Sequence, residues 1–483
     1  MPSRRALVAG SVGNFVEWYE FGVYGYFATV IADLFFTPDG GGRAEALVGA
    51  YAAFAVAFFF RPVGAVLFGR LGDRFGRRPV LIAVVGLMTA ATTLIGLLPT
   101  HATAGAAAPW LLTALRAVQG LSAGGEFGGA VTLMTEFAPP GRRGRYGAWQ
   151  SFTVALGLLA GAAVAAALAT VLPEDALYAW GWRVPFLLTL PLGLAALHLR
   201  LTLPETPAFR HAAATPAEPP PDGAPAATTD AALGGPPGAA PAATAEAPPG
   251  GSPDAAATAA TPATAATPAT AATATAAAAR AAANSPRPTA HTLLLGIGRI
   301  MGWSAAGYTF LVVLPSYLQA TLNASFRQAL IATALANLGF AASILPAGAL
   351  SDRIGRRPVM VCGAALVVLL ALPLLHLLRD PAASTPAKAA ALLLAGAVIG
   401  LLAGPGPAML AEMFPTGVRC TGLGTAYALS NAVFSGCAGL IVTELVRRTG
   451  NPDVPALYAA TVCALGLPAL LSLRPDDHRK ALR

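Results

Sequence analysis

GRLGDRFGRRPV at residues 69–80 returns as GALSDRIGRRPV at residues 348–359, so Asp73 answers to Asp352 and the pair Arg77, Arg78 to Arg356, Arg357. The separation is 352 minus 73, or 279 residues. A second set repeats independently: Glu136, Pro139, Gly141 and Arg143 recur as Glu412, Pro415, Gly417 and Arg419, separated by 412 minus 136, or 276. Two near-equal separations mark an internal duplication, and in each copy both motifs join long apolar stretches.

Those stretches set the class. Of the 483 residues 55% are hydrophobic and 11% charged, less than half the ~25% charged share of soluble domains. Segments close to the ~20 residues that a helix needs to cross ~30 Å of hydrocarbon follow one another. There are twelve, at 7–34, 47–69, 80–98, 109–135, 147–171, 182–203, 292–319, 328–350, 359–378, 389–412, 421–444 and 455–473. The first follows Arg4 and Arg5 like a leader peptide, but Asn14, Glu17 and Glu20 interrupt what would be its apolar core, and that reading is rejected.

Between the sixth and seventh segments, residues 207–290 are dominated by Ala, Pro, Thr and Gly. Such a composition cannot bury a core and predicts a disordered cytoplasmic linker. The expected organisation is an N-terminal six-helix bundle (1–206), the linker (207–290) and a C-terminal six-helix bundle (291–483). The fold class is an all-α membrane protein with two pseudo-symmetric bundles. Seventeen Lys and Arg lie on one set of short connections and tails and six on the other. That bias predicts both termini in the cytoplasm of a multi-pass cell-membrane protein. It also accounts for the +8 net charge without nucleic acid.

The residues also carry a resemblance. The G-x-x-x-D-R-x-G-R-R-P loops resemble the signature of the major facilitator superfamily. Further strings resemble its metabolite:proton symporter branch, whose members carry alpha-ketoglutarate, citrate, shikimate or proline/betaine. These are GNFVEWYEFGVYGY (13–26), RPVGAVLFGRLGDRFGRRP (61–79), RAVQGLSAGGEFGG (116–129), WGWRVPF (180–186), LPETPAF (203–209) and AEMFPTGVRCTGLGTAYALSNAVFSG (411–436). The resemblance covers both halves outside the linker and implies alternating access with protons as the coupling ion.

Six ionisable residues fall in mid-membrane, away from the ends of the apolar segments: Glu17, Glu20, Arg61, Arg116, Glu126 and Arg299. Each costs about 2.5–3.5 kcal/mol on insertion scales, so a partner or a wet cavity is expected beside it. Glu17 and Glu20, three residues apart, share a helix face with Asn14 and Tyr24. By depth, Glu20 and Arg116 both fall in the outer half and are placed to pair. An acid on the first helix facing Arg on the fourth resembles the proton-coupling pair of sugar:proton symporters, although relatives mostly carry Asp where Glu20 stands. The expected proton-coupling set is Glu17, Glu20, Arg116 and Glu126. The expected substrate set is Arg61, Arg116, Arg299, Tyr24, Tyr308, Tyr427 and Asn431, with a solute carboxylate bridging the halves from Arg299 to Arg61 or Arg116.

The loop residues have a separate expected role. Asp73, Arg77, Arg78, Glu136, Arg143, Glu205, Asp352, Arg356, Arg357, Glu412 and Arg419 form a cytoplasmic gate of ion pairs that are individually weak but two-state. Buried cations favour an organic carboxylate as solute. The alternatives are a proline/betaine-type osmolyte or a drug:proton antiporter. Osmosensing relatives carry a long C-terminal coiled coil, whereas this chain ends soon after its last apolar segment, and osmosensing is not expected.

No HExxH or GxxxxGK[ST] occurs, and neither an enzyme nor a nucleotide-driven pump is expected. Cys362, Cys420, Cys437 and Cys463 lack metal-ligand spacing; packing is their expected role, with no metal and no cofactor. Expected partners are the small-molecule solute and the lipid bilayer, with no obligatory protein partner.

Overall fold

The computed structural model describes residues 4–37, 42–75, 77–124, 126–136, 138–201, 289–415, 418–474 and 479. Among these, twelve helical rods follow one another. In the first half they are α1 (4–36), α2 (Arg43–Phe75), α3 (Arg77–Leu97), α4 (107–136), α5 (Arg143–Val171) and α6 (Glu174–Leu199). In the second they are α7 (Ala290–Leu322), α8 (Phe326–Ile354), α9 (Arg356–Arg379), α10 (Thr385–Met413), α11 (Arg419–Thr449) and α12 (Val454–Leu471). The helices of both halves form one compact unit. The expected linker lies outside the described residues up to 288.

Nine of the described helices are long and apolar enough to cross a membrane by composition alone. The other three are α1, α3 and α4. Glu17, Glu20 and Asp33 lower the hydropathy of α1, α3 starts on Arg77 and Arg78, and α4 breaks at Gly124, in the glycine-rich string GGEFGG. Expected boundaries differ most at α6, which starts at Glu174 rather than 182, and at α2, which runs from Arg43 to Phe75 rather than 47–69; in both, charged residues at the helix ends escape a hydropathy window.

Helix starts follow local chemistry. Ser325 accepts from the Gln328 amide while Gln328 Oε1 accepts from the Ser325 amide, a reciprocal cap that opens α8. At α10 the Ser384 hydroxyl accepts from the Ala387 amide, a one-way cap, with proline following. The outer surface is apolar, as a lipid-facing surface must be: Phe59, Trp110 and Val171 are 54%, 76% and 79% exposed.

The duplication reaches into the packing. A Cβ built on Gly120 of α4 would stand 1.8 Å from the Ala57 carbonyl of α2, and one on Gly396 of α10 would stand 1.8 Å from the Ala336 carbonyl of α8. The separation is 396 minus 120, or 276, the same as between the second motifs. Gly124 meets the Arg61 carbonyl in the same way, so the Gly120/Gly124 spacing is a packing surface as expected. Backbone cannot yield as a side chain can. Gly120→Val is therefore expected to cost about 1–3 kcal/mol or more, read as a lower melting temperature in detergent, whereas Gly129→Ala, whose Cβ would meet nothing within 4 Å, is expected to melt like the parent.

Candidate transport site

The first helix presents its two acids to different partners. Glu17 accepts a salt bridge from Arg61 Nη2 of α2 at 3.2 Å. Glu20 Oε2 accepts from the Thr92 hydroxyl of α3 at 2.7 Å. Thr92 Oγ1 in turn accepts from Gln119 Nε2 at 2.6 Å, and Gln119 Oε1 accepts from Arg116 Nη1 at 2.7 Å. The expected pairing of Glu20 with Arg116 thus takes a relayed form, through two polar side chains. Arg116 and Glu20 are both 0% exposed.

Aromatic rings hold the two guanidiniums. Phe21 lies between them, its centroid 4.3 Å from Arg61 Cζ and 4.9 Å from Arg116 Cζ. Phe58 adds a face to Arg61 at 4.5 Å, and Tyr24 and Phe54 add faces to Arg116 at 4.2 and 4.8 Å. Such contacts gain weight when water is excluded. Arg61 has its charge balanced by Glu17. Nε and Nη2 of both guanidiniums are buried donors without a hydrogen-bond acceptor, a costly arrangement for a charged group, but among the described residues Arg116 has no salt-bridge partner to balance it as Glu17 balances Arg61.

The second half supplies aromatics rather than charge at this level. Tyr308 of α7 packs on Trp18 and Phe58 with centroids 6.0 and 5.3 Å apart, and its buried hydroxyl has no hydrogen-bond partner. Tyr427 of α11 stacks on Phe127 of α4 with centroids 3.4 Å apart, and Trp303 stands 5.8 Å from Tyr427. Both α7 and α11 pass through a π-helical turn here, Thr309–Val313 and Asn431–Gly436, the kind of local irregularity common at functional sites.

The halves meet at both ends. At the end carrying the repeated motifs, Asp352 of α8 accepts from the backbone N–H groups of Gly144 and Arg145, the first turn of α5, at 2.7 and 2.9 Å. Arg356 bridges Asp352 and Glu412 at 2.7 and 3.0 Å, Arg143 stands 3.9 Å from Glu412, and Arg419 bonds Glu136 at 2.5 Å. At the opposite end Thr29 donates to Gln319 at 3.1 Å, and the Tyr51 and Ser316 hydroxyls lie 2.5 Å apart. The arrangement is occluded, with first-half residues facing second-half residues above and below the arginines.

Sequence comparison returns matching relatives along nearly the whole chain. It is 33% identical to the ectoine/proline transporter ProP of Corynebacterium glutamicum, with 99% of this chain and 85% of that protein covered. It is 31% identical to the glycine betaine/proline/ectoine/pipecolic acid transporter OusA of Dickeya dadantii (96% and 82% covered) and to the citrate-proton symporter of Salmonella typhi (97% and 94% covered). Residues 6–215 match the family described as "Sugar (and other) transporter" and residues 292–483 that described as "Major Facilitator Superfamily". This chain belongs to the major facilitator superfamily. The crystal structure of a D-xylose-proton symporter shares the fold, with a TM-score of 0.68 at 18% identity over 99% of each chain. The chain is therefore a multi-pass membrane transporter with the twelve-helix architecture of that superfamily, as the loop motifs implied.

Within this superfamily fold, not every residue singled out from the sequence joins the central cluster. Arg299 donates to the Ala469 carbonyl at 3.1 Å and to Ser472 Oγ at 3.0 Å, at the C-terminal end of α12. Exposed carbonyls at a helix C-terminus attract a cation, which explains why Arg299 sits there instead of bridging toward Arg61 or Arg116. The Tyr24 hydroxyl is committed to the Ala50 carbonyl at 2.9 Å, so its ring and not its oxygen serves Arg116. Asn431 donates to the Tyr427 carbonyl and accepts from Ser435 within its own π turn. The side chains of Asp73, Arg77, Arg78 and Glu126, and the whole of Glu205, lie outside the described residues. Thr92, Gln119, Phe21, Phe58 and Phe127 went unnoticed in the sequence. The signal for Gln119 was its place three residues, one helical turn, after Arg116.

Proposed function

We propose that this chain is a proton-coupled symporter for a small solute with one carboxylate, a compact zwitterion of the proline or betaine type. The observation that carries the reading is Arg116: wholly buried, charged, and with two donors, Nε and Nη2, lacking an acceptor. A solute carboxylate supplies what those donors lack, in the paired geometry guanidinium favours. A dicarboxylate fits less well, since Arg61 is neutralised by Glu17 and Arg299 is engaged at the end of α12. The second half offers Trp303, Tyr308 and Tyr427, whose ring faces suit a quaternary or secondary ammonium. Relatives named for glycine betaine, proline and ectoine agree with that choice, and the citrate-proton symporter defines its rival.

The coupling rests on the acids of α1. An arginine nearby favours a charged carboxylate and its departure favours the protonated one, which makes Glu20, at the end of the chain from Arg116, the proposed proton site, with Glu17 and Glu126 as further candidates. The basic bias of the connections supports a cytoplasmic motif end, with the two halves rocking about the buried cluster. Purified protein in proteoliposomes, given an inside-alkaline gradient and radiolabelled proline, glycine betaine, citrate or alpha-ketoglutarate, tests the reading. Accumulation of proline or betaine is expected. Accumulation of the polyacids alone overturns the substrate class, and gradient-driven depletion of preloaded solute marks an antiporter. Glu20→Gln is expected to abolish accumulation while exchange of preloaded proline or betaine continues; gradient-driven uptake by that variant would remove Glu20 from the coupling.

A further inference from the structure

We infer that Thr92 and Gln119 are positioning residues that pass the protonation state of Glu20 to Arg116, so that a proton on the acid frees the guanidinium for the solute. The inference rests on the proposed symport and deepens it. Its basis is the direction of the chain: Arg116 donates to Gln119, Gln119 to Thr92, and Thr92 to Glu20, every donor pointing toward the carboxylate. All four side chains are at most 1% exposed, so water does not loosen the order and each bond polarises the next.

Thr92 supplies the switch. Its hydroxyl has one proton and two acceptors in reach, Glu20 Oε2 at 2.7 Å and the Met88 carbonyl one turn back at 3.0 Å. While Glu20 is charged the proton belongs on the carboxylate. Once Glu20 takes a proton on Oε2, its own O–H becomes the donor, Thr92 Oγ1 accepts from both Glu20 and Gln119 on its two lone pairs, and the Thr92 proton turns to Met88. No covalent bond within the chain breaks. What changes is the far end, since Gln119 no longer links Arg116 to an anion and the guanidinium is held by a neutral amide alone. Proton and solute carboxylate then favour each other, the reciprocity that symport needs. The charged and titratable groups facing this chain are Arg116 and Arg61 from α4 and α2, Glu17, Tyr19 and Tyr24 from α1, and Tyr308 from α7.

Two readouts test the relay on the full-length, lipid-reconstituted chain. Infrared titration follows the Glu20 carboxyl band, identified by its loss in Glu20→Gln, and needs no solute. Thr92→Val is expected to move its midpoint by about one pH unit, the worth of one hydrogen bond to a charged group, while Thr92→Ser keeps the parent midpoint. In transport, the parent is expected to bind proline or glycine betaine more tightly as pH falls; Gln119→Leu should flatten that pH profile of KM, whatever its effect on kcat. An unmoved midpoint in Thr92→Val, an unflattened profile in Gln119→Leu, or a titration with no Glu20 band overturns the relay. A parent that transports neither zwitterion overturns the substrate reading instead, and a shifted band midpoint would still support the relay.

Discussion

Arg116→Gln is expected to lower gradient-driven uptake of proline or glycine betaine on the order of 100-fold or more, the scale of losing one partner from a buried charged contact. The glutamine can reach Gln119 but offers no charge to a carboxylate and none to Phe21, Tyr24 and Phe54, whose faces now surround Arg116. Arg116→Lys is expected to recover little. An ammonium is a single point of charge on a flexible stem, whereas the guanidinium bonds Gln119 through Nη1 and keeps Nε and Nη2 for a solute. Stability should move the other way from function. A cation taken out of water carries a desolvation cost that the glutamine avoids, so the variant is expected to melt at or above the parent temperature. Initial uptake rates in proteoliposomes, read beside melting curves, separate the two. Near-parental uptake in Arg116→Gln would remove the arginine from the solute site.

The sequence carried the architecture because the bilayer imposes it. Hydrophobic length and the two repeated loop motifs suffice for a twelve-helix, duplicated fold, and they are local signals that survive without coordinates. The central cluster was legible as a set of residues but not as a set of partners. Four of the six ionisable groups expected in mid-membrane, Glu17, Glu20, Arg61 and Arg116, do converge. Which acid takes which arginine depends on rotations of α1, α2 and α4 about their axes, and no periodicity in one chain records those. Arg299 shows the same limit from the other side, because its partner is a carbonyl at the end of a helix 170 residues further along the chain. Asp352 belongs here too: the motif reads as a charge cluster, while its carboxylate serves as a cap for a helix in the opposite half.

That cap makes Asp352→Asn the most informative change at the motif end. The carboxylate accepts from the Gly144 and Arg145 amides and from Arg356 Nη1, at 2.7, 2.9 and 2.7 Å. The first N–H groups of a helix have no partner within it and carry its positive end, so an anion supplied from the other half ties α5 to α8. Hydrogen bonds to charged groups contribute about 1.5–3 kcal/mol each. Asparagine keeps one acceptor oxygen and turns an amino group toward donors, losing at least one bond and the charge. Each 1.4 kcal/mol is about tenfold in the balance between closed and open forms, so the variant is expected to favour a motif end that is parted, with transport down on the order of tenfold or more. Glycine makes the interface intolerant as well as adhesive, since a Cβ on Gly144 would stand 2.4 Å from Arg356 Nη1 and 2.5 Å from the Gly348 carbonyl. Spin labels at the exposed positions 142 and 353, one in each half, read the outcome as a distance distribution. Longer distances in Asp352→Asn, reversed by restoring the aspartate, are expected; an unchanged distribution with parental uptake would mean that the cap does not hold this end closed.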